Sequence, residues 1–92
     1  MKEKNALFAN GKKYFIRTVT HHYVGLCVGT LDGFVQLKNA SWIADDGRFS
    51  QAMKSGVFDE VEPYPTGMVV SVGIGSIIDF VEFSQELPVE QK

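Results

Sequence analysis

Two apolar-rich runs flank Asp32-Gly33, from Tyr23 to Leu31 before it and from Phe34 to Ile43 after it. An Asp-Gly pair between such runs predicts a β-hairpin, because both central residues of a type I′ turn need positive φ. A two-residue turn sets Leu31 opposite Phe34 and fixes the register. Thr30, Val28 and Leu26 then face Val35, Leu37 and Asn39 on one side, which is the expected core face. Gly29, Cys27, Gly25 and Tyr23 face Gln36, Lys38, Ala40 and Trp42 on the other. Gly25 and Gly29 let the first strand bend without side chains colliding. A bent strand in a short antiparallel chain points to a small barrel.

The flanking pattern extends this plan. Tyr14 to Thr20 is rich in β-branched and aromatic residues and predicts a strand, running toward Tyr23 through a bend at His21-His22. Ala6 to Ala9 with Asn10-Gly11 reads as a small hairpin, or as a helical turn capped by Gly11. Residues 1–5 are charged and expected to fray. Beyond Ile43, Asp45 to Gly56 predicts one short helix. An aspartate caps it, Phe49, Ala52 and Met53 share a face, and Lys54 with Gly56 closes it. Val57 to Thr66 reads as an acidic, proline-bearing connection turning at Pro63-Tyr-Pro65. Met68 to Val72 and Ser76 to Phe83 follow as two short strands around Gly73-Ile-Gly75, and Ser84 to Lys92 as a mobile polar tail.

Alternation fails in the last strand pair. Val69, Val70 and Val72 occupy both faces, as do Ile77, Ile78, Phe80 and Val81. A solvated antiparallel strand alternates apolar-in and polar-out, so strands apolar on both sides must be covered on both sides. Either they pass through the middle of a tiny barrel, or another copy of the chain covers them.

Composition narrows the function classes. At 92 residues, 45% hydrophobic and 22% charged, the chain reads as one globular domain, with its core within about residues 14–83. Nine basic against eleven acidic residues give a net charge of -2, which argues against a dedicated nucleic-acid binder. One cysteine, Cys27, supplies neither a disulfide framework nor a zinc site and reads as a small core residue. No signal peptide and no membrane-length apolar run is seen, so a cytoplasmic, membrane-free setting is expected.

Candidate chemistry is sparse. Neighbouring His21 and His22 point to opposite faces of a strand and cannot share one ion. Asp45-Asp46-Gly47 lacks the glutamate of a calcium loop, since Gly56 stands eleven residues after Asp45. Gly73-Ile-Gly75 is followed by strand, so no helix N-terminus awaits a phosphate. Cys27 has no arguable histidine partner, and Glu60 and Glu62 read as solvated charge. Phe34, Tyr23, Trp42 and Tyr64 are candidates to stack bases, though such aromatics more often serve core or interface. No catalytic residue, metal site or cofactor is expected.

The strand order, with its Asp-Gly turn and late glycine turn, resembles the Sm-like family. Tyr23-Val-Gly25-Leu-Cys27-Val-Gly29 looks like the start of the family's first motif, and Met68-Val-Val-Ser-Val72-Gly73-Ile-Gly75-Ser-Ile77 like its second. Arg17 to Gly25 together with Ala40 to Phe49 is similar to small Sm-like proteins of tailed phages, including cyanophages. The resemblance implies a mainly β fold: a strongly bent, SH3-type antiparallel barrel of roughly five strands with one short inserted helix. It also implies a non-enzymatic, cyclic homo-oligomer of about five to seven copies, in the host cytoplasm if phage-encoded. Met68, Val69, Val70, Ser71, Val72, Ile77, Ile78 and Phe80 would form the subunit interface. Family RNA binders carry an aspartate and an asparagine in the first-motif loop and an arginine before the second-motif glycine. Here Asp32 fits with a one-residue shift, Val35 or Gln36 replaces the asparagine, and Val72 replaces the arginine. RNA stays a possible partner with no contact residue assigned. The alternative is a structural or scaffolding oligomer that binds protein partners.

Overall fold

The computed structural model describes residues 8–92; the charged stretch 1–5 and the first part of the expected N-terminal hairpin lie outside them. The described residues form a mainly β fold with six antiparallel strands and one α-helix. The strands are β1 (Lys13–Thr18), β2 (His22–Leu31), β3 (Phe34–Asp45), β4 (Glu60–Pro63), β5 (Val70–Gly73) and β6 (Ile77–Glu82). The helix α1 (Phe49–Ser55) links β3 to β4, and a 3-10 turn over Ile74–Ser76 links β5 to β6. The sheet runs β4-β3-β2-β1-β6, with β5 on the first half of β3 and β4 on the second. It curls without closing, since β5 and β6 do not pair with each other.

The central hairpin forms at Asp32-Gly33, both at positive φ (50° and 84°), with Leu31 opposite Phe34. The expected register holds near the turn and again at Tyr23 opposite Trp42. Between them two bulges intervene and cancel. Val28 is the extra residue on β2, which brings Cys27 opposite Leu37 instead of Lys38. On β3 the extra residue falls around Asn39, itself at φ 50°. Each bulge turns the pleat over. The expected core face is therefore corrected on β2: Cys27 and Val24 are buried, Leu26 is half-buried and Val28 is exposed. Gly25 makes the bend possible by absence of a side chain. A Cβ there would lie 3.1 Å from the Cβ atoms of both Leu37 and Ala40.

Three other expectations change. The stretch around Glu60 to Pro63 is a strand, β4, because Val61 points into the core between exposed glutamates. Asp45 ends β3 and does not cap the helix; its Oδ1 accepts the Gly47 N–H at 2.9 Å. Helix α1 starts four residues later, and Gly56 is its left-handed C-cap, donating to Ala52 O as the sequence implied. Asn10-Gly11 is a turn but not of type I′: only Gly11 has positive φ, Lys12 N–H donates to Ala9 O at 3.2 Å, and Gly11 N–H donates to Cys27 O at 2.8 Å.

Two hydrophobic clusters lie on opposite sides of β1. Tyr14 and Ile16 join Phe8, Cys27, Val35, Leu37, Ala40 and Val72 inside the curl. Phe15 joins Val24, Ile43, Ala52, Phe58, Val61 and Phe83 beneath α1. The second holds three phenylalanines in a row, with Phe15 stacked on Phe58 at 6.0 Å and Phe58 on Phe83 at 5.9 Å. The stretch Ser84 to Lys92, read from sequence as a mobile tail, lies folded back over this cluster. Leu87 packs on it, Gln85 O accepts from Lys13 Nζ, and Lys92 exchanges two backbone hydrogen bonds with Val61 (2.8 and 2.9 Å). Among the described residues, no helix is long and apolar enough to cross a membrane.

Candidate functional site

Among the described residues, β5 pairs only with β3, and β6 only with β1. Each therefore turns one row of backbone donors and acceptors outward. The 3-10 turn between them is pinned at both ends. Ile74 N–H donates to Gly33 O at 2.9 Å, and Val19 N–H donates to Ser76 O at 3.1 Å. The turn thus joins two strands that pair with different neighbours, β3 and β1, at the two ends of the run β5-β3-β2-β1-β6.

The residues expected at a subunit interface divide into three groups by side-chain direction. Val72 is buried at 5% exposure and belongs to the inner cluster. Val70, Ile77 and Phe80 are half-buried against that cluster, with the Phe80 ring 4.3 Å from Phe8 and 5.9 Å from Tyr14. Ile78 is 65% exposed, and Met68, Val69 and Ser71 also face solvent. Met68 and Val69 precede β5 and do not belong to it, a correction to the expected strand start. Alternation fails on β6 partly because Ile78 is a bulge residue: Arg17 faces Asp79 and Thr18 faces Ile77, which leaves Ile78 outside the register. Sequence reading left Val81 out of that set, although it is outward-facing and 44% exposed.

Charge fastens β6 to β1. Arg17 Nε donates to Asp79 Oδ1 at 2.7 Å, and its Nη2 donates to Oδ2. That hydrogen bonding, reinforced by the guanidinium charge, holds the Asp79 carboxyl below its ordinary value. Lys12 and Glu82 add a looser pair at 3.5 Å.

The two loops that the family resemblance brings forward meet at the Gly33–Ile74 hydrogen bond. Leu31-Asp32-Gly33-Phe34 and Gly73-Ile74-Gly75-Ser76 contain one carboxylate and neither lysine nor arginine. A phosphate arriving there would meet no cation from either loop. His21 and His22 diverge: His22 Nδ1 lies 3.1 Å from Asp46 Oδ2, while the His21 ring lies tilted 5.6 Å from that of Trp42. Cys27 Sγ is buried, with Gly29 O at 3.9 Å and Asn10 Oδ1 at 4.0 Å. Of the aromatic residues singled out for stacking, Tyr23, Trp42 and Tyr64 converge on one recess, and Phe34 stands apart at the hairpin tip.

The chain matches no family model, no curated protein and no solved structure.

Proposed function

We propose that this chain is the subunit of a closed, non-enzymatic homo-oligomeric ring of Sm-like type, in which β5 of one copy pairs with β6 of the next. The observation that carries the reading is the pair of strands at the two ends of the run β5-β3-β2-β1-β6, each paired on one side only among the described residues, with Ile78 and Val81 exposed on one and Met68 and Val69 beside the other. A head-to-tail strand contact closes into a ring when its rotation permits, and closure satisfies both edges of every copy. About five to seven copies is the range that the family resemblance implies. The likeness to small Sm-like proteins of tailed phages makes a phage-encoded ring in the host cytoplasm the matching biological setting.

Between RNA and protein as what such a ring engages, charge favours protein. A net charge of -2 and two loops free of lysine and arginine provide little counterion release, the term that drives phosphate binding. The ring is then a scaffold that docks on protein partners.

The test is a charge on an outward edge position. Val81→Lys and Ile78→Lys should abolish assembly while the circular-dichroism spectrum stays that of the parent, because neither side chain lies in a core cluster. Full assembly of both variants would contradict the β5–β6 contact.

A further inference from the structure

Away from the open edges, the β2–β3–β4 face carries a row of three directly opposed residues: Tyr23 on β2, Trp42 on β3 and Glu62 on β4. Directly opposed residues in a sheet point to the same side, so two rings and a carboxylate stand together. His21 closes one end, its ring 6.2 Å from Tyr23 and 5.6 Å from Trp42, with Nδ1 at 2.8 Å from Thr20 Oγ1. Tyr64 closes the other. Its N–H donates to Ala40 O at 2.9 Å, and Pro63 and Pro65 on either side restrict its backbone. Burial, with Tyr23 beside it, pushes the Tyr64 phenol up. Tyr23 and Tyr64 are both anchored against the inner cluster. Together these residues surround a recess of about 480 Å³.

Apart from the imidazole of His21, the chemistry of this lining has one sign. Aromatic faces carry negative potential, Trp most strongly, and the carboxylate of Glu62 adds a full negative charge. Among the described residues that line the recess there is neither lysine nor arginine to neutralise it. Ring faces attract cations with weakly held hydration, and alkylated ammonium groups combine such a charge with an apolar surface.

We propose that this recess binds an alkylated ammonium head group, held over the rings of Trp42, Tyr23 and Tyr64 and balanced by Glu62. The volume leaves room for the stem that carries the head group. A free trimethylammonium compound and a trimethylated lysine in a peptide share this chemistry. The site rests on the β2–β3–β4 face and is independent of the ring contact.

Trp42 is the chain's single tryptophan, so its fluorescence reports on the recess directly. The full chain is titrated at pH 8 with choline, with its uncharged isostere 3,3-dimethylbutan-1-ol, and with a short glycine-serine peptide carrying one trimethyllysine. Saturable change with choline, about 10-fold weaker for the alcohol, is expected for a cation held by rings and a carboxylate. Glu62→Gln and Tyr64→Leu should each weaken choline by about 3- to 10-fold, with folding verified by circular dichroism. Peptide binding more than 10-fold tighter than choline identifies a protein side chain as the source; equal or weaker binding identifies the free compound. Equal binding of choline and the alcohol, no response to choline, or affinity unchanged in both variants would overturn the proposal.

Discussion

At the β4 end of the sheet the strand is four residues long, carries Glu60 and Glu62, and ends at Pro63. Its outer backbone is met at Val61 by Lys92 of the same chain. At the β5 and β6 ends nothing comparable is present among the described residues. Ile78 and Val81 are exposed on β6, the exposed Met68 and Val69 lead into β5, and among the described residues no strand pairs with the free sides of either. Short strands, edge charges and proline are the ordinary means of preventing edge-to-edge association. The chain combines shortness, charge and proline at β4; β5 is equally short but has neither charge nor proline, and β6 sets Asp79 and Glu82 beside exposed Ile78 and Val81. On the ring reading proposed above, this difference keeps the β4 side separate and leaves the β5 and β6 edges to join.

The contrast can be broken most severely from inside β5. Val72→Asp places a carboxylate in the inner cluster and should cost about 3 kcal/mol or more, unfolding the domain, whereas Ile78→Lys should leave monomer stability within about 0.5 kcal/mol. Urea unfolding of the two variants separates the inward from the outward side of the open edges. Similar destabilisation by both would mean that β6 faces a core.

Removing residues 87–92 should convert the covered edge into an open one. Two backbone hydrogen bonds and the packing of Leu87 are lost, for about 2 kcal/mol in total. Denaturation midpoints measure the loss, and light scattering should show new association through β4. An unchanged midpoint with no new association would show that the tail does not protect that edge.

The smallest effect concerns how firmly β6 stays on β1. Arg17 holds the Asp79 carboxyl below its ordinary value. The stabilisation is therefore present above the ordinary carboxylate range and is lost as pH falls through the lowered value. Asp79→Asn should lower the melting temperature slightly and equally at pH 5 and pH 8, with the difference vanishing at strongly acid pH. The effect is small because both partners are exposed. A difference that changes between pH 5 and 8 would point to another group.

The ends of the central hairpin were legible because Asp32-Gly33 and the pair Tyr23–Trp42 follow from turn chemistry and counting. Its middle was not, since two bulges of opposite sense leave the total register unchanged while inverting which side Cys27 and Val28 face. Strand β4 was hidden by its composition: with only Val61 inward, two glutamates and a proline read as a loop. The open edges showed themselves through failed alternation, but the bulge at Ile78 and the inward turn of Val72 depend on pairing with β1 and β3. The aromatic recess was legible only in pieces. Tyr23, Trp42 and Tyr64 stand out singly, and they meet because β4 brings Glu62 opposite Trp42 and Pro63 opposite Ser41.

The central claim is that the free sides of β5 and β6 are completed by other copies of the chain. Sedimentation velocity of the unmodified protein at micromolar concentration tests it most directly. One species of about five to seven times the 10.2 kDa of a single chain, stable to dilution, is predicted. A single species at 10.2 kDa would contradict it.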